Sequence, residues 1–221
     1  RKAYVSRIIG EIDRLNRLLL GFFDFARPRE LSIATCDLSK IVENAVYMVR
    51  DTARENHVEI IEFPPPTKTS VRADPHMIQQ VLMNVLINAI QAMPEGGTIA
   101  IRARNVSVSQ GKFVKITVSD TGTGISPENL HRIFDPYFTT KQDGSGLCLA
   151  TAYSMIKHHG GSISVDSKAG RGTTFQILMP ASERAPGADP AVKISPGAGV
   201  GRILVMDDER SIRDTACAIL R

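Results

Sequence analysis

Apolar positions recur along this chain at two periods, and the switches between them mark its helices and strands. Val5, Ile8, Ile12, Leu15, Leu19, Phe22 and Ala26 follow three-four spacing, the seam of a helix that packs on other helices. Pro28 ends it, and Leu18, Leu20 and Phe23 widen its apolar surface, so residues 1–28 are expected to join a four-helix bundle. A helix on its own domain is the alternative. A second helix is predicted over residues 38–55 behind an Asp37 N-cap. Residues 57–63 are rich in β-branched side chains and read as a strand, and Pro64, Pro65 and Pro66 then impose a loop. A short strand over 71–73 leads to Asp74 as N-cap and Pro75 at the first helical position. The helix that follows is the centre of the pattern. In it Val81, Leu82, Val85, Leu86, Ala89, Ile90 and Met93 form one apolar face. Residues 98–106 and 113–119 alternate as a hairpin, 126–132 form a short helix, and 147–158 a longer one. Residues 162–166 and 173–179 make a final strand pair.

A chain of 221 residues with 43% hydrophobic side chains holds one to two packed domains. The net charge of +4 is scattered, so no nucleic-acid partner is read from it. Cys36, Cys148 and Cys217 are odd in number, far apart and without metal spacing, which fits a reduced, cytoplasmic compartment. No apolar run reaches membrane-spanning length, and no signal peptide is visible. Both ends fall in helical pattern, so the chain reads as a fragment of a longer protein whose upstream part could hold a membrane anchor. Residues 183–200, with Pro186, Pro190 and Pro196 among glycines, form a linker. Residues 201–221 start a new strand and helix.

Asn84 and Asn88 stand one turn apart on one side of the central helix. Beside an apolar stripe they are either a polar pocket wall or two surface amides. Three glycine-punctuated stretches follow: DTGTGI (120–125), GSGLCL (144–149) and GRGTTF (170–175). IFDPYFTTK (133–141) lies between the first two. In this order the five motifs resemble the asparagine box, the F box and the three glycine boxes of the histidine kinase catalytic domain. The resemblance covers roughly residues 1–182 and is nearest to nitrogen-regulation sensor kinases, whose F box also ends in FTTK. It implies an α+β fold over residues 30–182, a Bergerat-type two-layer α/β sandwich with a mixed sheet. It also makes residues 1–28 the second helix of a dimerisation and phosphoacceptor hairpin. RILVMDDE (202–209) resembles the start of a receiver domain, with Asp207 and Asp208 as its acidic pair.

The resemblance implies ATP and Mg2+ as ligands. Asp120 is then the acceptor for the adenine amine. Gly122 and Gly124 let backbone pass close to base and ribose, with Ile125 beside them. Asn88 becomes the magnesium ligand, Asn84 its catalytic neighbour, and Gln91 a residue facing the phosphates. Gly144, Ser145, Gly146 and Leu147 lead into a helix N-terminus, which attracts phosphate. Lys141 and Arg132 are candidate cations for the γ-phosphate, and Thr173 carries the hydroxyl that reaches adenine. Cys148 departs from the family, which has glycine there. The five histidines have neither metal spacing nor an acceptor-histidine context. The implied activity is transfer of the ATP γ-phosphate to a histidine, for relay to a response regulator, by a homodimer joined through the hairpin helices. Two alternatives stand beside it: an ATPase of the same superfamily, disfavoured because asparagine at position 84 is no general base, and a degenerate nucleotide-binding dimerisation module.

Overall fold

The computed structural model describes residues 32–109, 111–141 and 144–182, with Met206, Arg210 and Arg213. Contacts divide the chain into two units, Arg1–Asp189 and Pro190–Arg221. The helix expected over residues 1–26, the linker and the Asp207–Asp208 pair lie outside the described residues.

The first unit runs β1 (Ala34–Asp37), α1 (Leu38–Glu55), β2 (Val58–Phe63), β3 (Ser70–Ala73), α2 (Pro75–Gln91), β4 (Gly97–Val108), β5 (Gly111–Asp120), α3 (Pro127–Leu130), α4 (Cys148–His158), β6 (Ser162–Lys168) and β7 (Gly172–Pro180). Five strands form one sheet in the order β2-β4-β5-β7-β6. β2 and β4 are parallel, joined by a crossover through α2, and the other pairings are antiparallel, so the sheet is mixed. Alternation sets which face is covered. Ile99 and Ile101, Val114, Ile116 and Val118, and Phe175, Ile177 and Met179 are buried from three central strands. Against them lie Val81, Leu82, Val85, Leu86 and Ile90 of α2, with α1 and α4 packed on either side. This is a two-layer α+β sandwich.

One strand went unread: β1 has only four residues and no alternation. It exists through its antiparallel partner β3, Cys36 standing opposite Val71. The Cys36 thiol donates to the carbonyl oxygens of Val71 and Ala73, and burial raises its pKa.

Asp74 fixes the start of α2. Its Oδ1 accepts from His76 N at 3.0 Å and Met77 N at 3.3 Å, and its Oδ2 accepts from Ser32 N at 3.1 Å. Its own N–H donates to Nε2 of the buried His159 at 3.1 Å, and the other ring nitrogen lies 2.7 Å from the Met155 carbonyl. His159 is therefore a core histidine that joins α4 to α2. Losing the cap leaves part-buried backbone donors without their partner. Asp74→Ala should cost about 2 kcal/mol in urea unfolding. Asp74→Asn, which keeps one cap oxygen, should recover more than half of that. Equal losses in the two variants would contradict the capping role.

Candidate functional site

Asp120 ends β5 opposite Ile99, with only 7% of its surface exposed. Its Oδ1 accepts from Gly122 N at 2.9 Å and from Thr173 N at 3.1 Å. Oδ2 takes no hydrogen bond among the described residues. Burial raises the Asp120 carboxyl above its ordinary 3.8, and the two backbone N–H groups pull it part of the way back.

The DTGTGI loop is stitched on both sides. Thr123 N donates to Ala92 O at 3.0 Å, Gly170 N to Thr123 O at 2.7 Å, and Ile125 N to Ser167 Oγ at 2.8 Å. The glycines allow this close stitching of the loop. A Cβ on Gly122 would stand 2.6 Å from the carbonyl oxygen of Ala92, and one on Gly124, at φ +70, would meet the carbonyl of Lys168. Gly172, at φ +93, is likewise pressed on the Asp120 carbonyl. Ser167 was missed in the sequence because its role depends on the β6–β7 register. Its hydroxyl donates to Gly172 O at 2.9 Å, so the 3.0 Å contact to Thr173 Oγ1 uses the threonine proton. Thr173 then offers lone pairs to the cleft.

A cleft of about 930 Å³ opens above Asp120. Asn84, Asn88, Gln91, Asp120, Gly124, Ile125, Lys141, Gly144, Ser145, Gly146, Leu147 and Thr173 all line it. Its walls also use Ile87, Phe138, Leu149 and Phe175, whose apolar positions are hard to tell from core in a sequence. Gly122 and Arg132 are not among the lining residues. The Arg132 guanidinium lies 4.5 Å over the Phe138 ring and 4.0 Å from Asp135 Oδ2, on an exposed surface.

The far end of the cleft is polar. Asn84 Nδ2 donates to Cys148 O at 3.1 Å, and Asn88 Nδ2 to Asn84 O at 2.8 Å. Lys141 Nζ donates to Asn88 Oδ1 at 3.0 Å and to Gln91 Oε1 at 2.6 Å. Burial lowers the Lys141 pKa from its ordinary 10.5, against a weaker opposing effect from Cys148. α4 begins here without a side-chain cap, so its first N–H groups remain open to a ligand. Cys148 is its first residue and has no positive φ, so glycine is not required by the backbone there.

The sheet and this cleft define a nucleotide-binding catalytic domain. The sequence profile of the histidine kinase-, DNA gyrase B-, and HSP90-like ATPases matches residues 73–183, and the chain belongs to that family. The sensor histidine kinase ZraS of Escherichia coli strain K12 is 36% identical over 77% of this chain and 36% of its own length. The chain thus spans little more than a third of that relative. Full-length ShkA in complex with AMPPNP superposes with a TM-score of 0.69 at 27% identity, covering 84% of this chain and 40% of that one. The histidine kinase ThkA, solved in complex with the response regulator protein TrrA, gives 0.67 at 26% identity, covering 82% and 51%. The domain here is similar to the ATP-binding domains of sensor histidine kinases.

The raised carboxyl makes a signed prediction. A group whose pKa rises on folding contributes stability that is full below its unfolded value and is lost as pH rises through the folded one. Asp120→Asn keeps the oxygen for Gly122 and Thr173 and removes a buried charge. Its melting temperature at neutral pH should equal or exceed that of the parent, and the difference should vanish below pH 3.8. A clearly lower value at neutral pH would contradict this balance.

Proposed function

We propose that the cleft binds ATP with adenine on Asp120 and the phosphates at the Asn84–Asn88–Lys141 end, for transfer of the γ-phosphoryl group to a histidine. The observation that carries the reading is the divided Asp120 carboxylate. One oxygen is held by two backbone donors, and the other is left open in the cleft, where an exocyclic amine can donate to it. Thr173 supports the same end as an acceptor. At the other end, the uncapped start of α4 offers N–H groups to phosphate.

The donor set there also suits magnesium, a hard cation that prefers oxygen. The two amide oxygens already converge on a cation, the Lys141 ammonium. A bound magnesium would supply charge neutralisation at the phosphates. Asn88 would hold it. In the transfer, an imidazole nitrogen attacks the γ-phosphorus, the bond to the β–γ bridging oxygen breaks, and ADP leaves. The protein supplies position and charge rather than a covalent partner. Asp120 is the one carboxylate among the described residues that line the cleft, and it sits at the adenine end. No described lining residue is placed to activate water, which favours transfer over hydrolysis.

The FTTK ending supports a kinase of the nitrogen-regulation kind, and the likeness to ThkA supports a response regulator as the next acceptor. A homodimer formed through hairpin helices, the start of a receiver after residue 200 and a cytoplasmic location complete the proposal. No described helix is long and apolar enough to cross a membrane.

Asp120→Asn should weaken ATP binding by at least about a hundredfold in calorimetry, because an amide NH2 would then face the adenine amine. Unchanged affinity would sink the adenine assignment. None of the five histidines lines the cleft. The chain alone, given γ-labelled ATP, should therefore form no acid-labile, base-stable label. Supplied with a separate hairpin domain carrying an acceptor histidine, it should label that histidine slowly, since an untethered acceptor is dilute. Label mapped to one of the chain's own histidines would contradict the reading.

A further inference from the structure

The two oxygens that suit magnesium already hold a cation of the chain's own. Asn88 and Gln91 lie three residues apart on α2, so their side chains share one side of the helix. The Asn88 amide is oriented by its environment. Its nitrogen is committed to the Asn84 carbonyl at 2.8 Å, which turns Oδ1 toward the cleft. Gln91 supplies the second oxygen, and the Lys141 ammonium joins the two at 3.0 and 2.6 Å. Among the described residues no carboxylate pairs with Lys141, so this ammonium is held by amide dipoles. Its backbone is fixed as well: Lys141 N donates to Thr139 Oγ1 at 3.1 Å.

We propose that Lys141 is an internal stand-in for the divalent cation, holding Asn88 Oδ1 and Gln91 Oε1 until a metal arriving with nucleotide displaces it. The proposal rests on the reading that the cleft takes a magnesium-bound adenine nucleotide. It makes Gln91 part of the cation site, and it makes metal and ammonium exclusive. An ammonium and a divalent ion cannot share one oxygen at such range without strong repulsion. Displacement has a consequence for the transfer. The same event that seats the metal releases a positive charge at the phosphate end, where it can meet the γ-phosphate. Metal binding and the placement of Lys141 are then one step.

The test uses the intact chain and ADP, which has no γ-phosphate for Lys141 to contact. Affinity is measured by calorimetry with Mg2+ and with EDTA, for the parent and Lys141→Met. Removing the competitor should raise the ratio of the two affinities by about tenfold, the scale of one charge-assisted hydrogen bond. An unchanged ratio would overturn the proposal and leave the nucleotide site standing. Failure of the parent to bind ADP under either condition would overturn both. A second measurement needs no variant: acetylation of Lys141 by a brief pulse of reagent, read by peptide mass spectrometry. Labelling should rise with Mg-ADP and stay low with ADP and EDTA. Equal labelling in the two conditions would refute displacement.

Discussion

The site depends on one carboxylate oxygen. Asp120 Oδ1 accepts from Gly122 on the loop after β5 and from Thr173 on β7. Two segments more than fifty residues apart are thereby held on the end of one strand. Burying that charge works against folding and pushes its pKa up, and the two N–H groups offset part of the cost. Its second oxygen takes no hydrogen bond among the described residues, and Asp120 lines the cleft. The β5–β7 pairing, with Ser119 opposite Thr174, brings the two segments close enough for Oδ1 to hold both.

The cleft has two ends of different chemistry because two elements meet it differently. The sheet delivers Asp120 and Thr173 at its floor. α2 presents a side rather than an end, so its amides at positions 84, 88 and 91 form a polar wall along the cleft. The opposite side of the same helix is the core, with Leu82, Leu86 and Ile90 at most 2% exposed. The apolar face that anchors α2 therefore also aims its amides. Asp74 and His159 set its starting point and tie it to α4, whose N-terminus closes the phosphate end.

Much of this was legible in the sequence, for physical reasons. Asn84 and Asn88 beside an apolar stripe left two readings, a pocket wall or surface amides, and they line the cleft; Asp74-Pro75 announced the helix start. The strands with clear alternation appeared close to their expected bounds. Properties that depend on pairing were not legible. Four residues of β1 carry no period of their own, and Ser167 becomes a bridge only through the β6–β7 register. The close approach of Gly122 to Ala92 and of Gly124 to Lys168 was not legible either, since those neighbours come from distant parts of the chain. Arg132 and Lys141 were both candidate cations, with a plain surface role the stronger alternative for Arg132. The fold sends one over an aromatic ring on the surface and the other onto two amide oxygens.

Base selectivity tests the account most directly. Inosine triphosphate keeps the ribose and phosphates of ATP and replaces the donating amine with an accepting carbonyl, which would face the open oxygen of Asp120. Titrated by calorimetry with Mg2+ present, ATP should bind and inosine triphosphate should bind at least about a hundredfold more weakly, because two acceptors then meet in a buried place. Equal affinities would show that the base is not read by Asp120 and would contradict the orientation on which the proposed transfer rests.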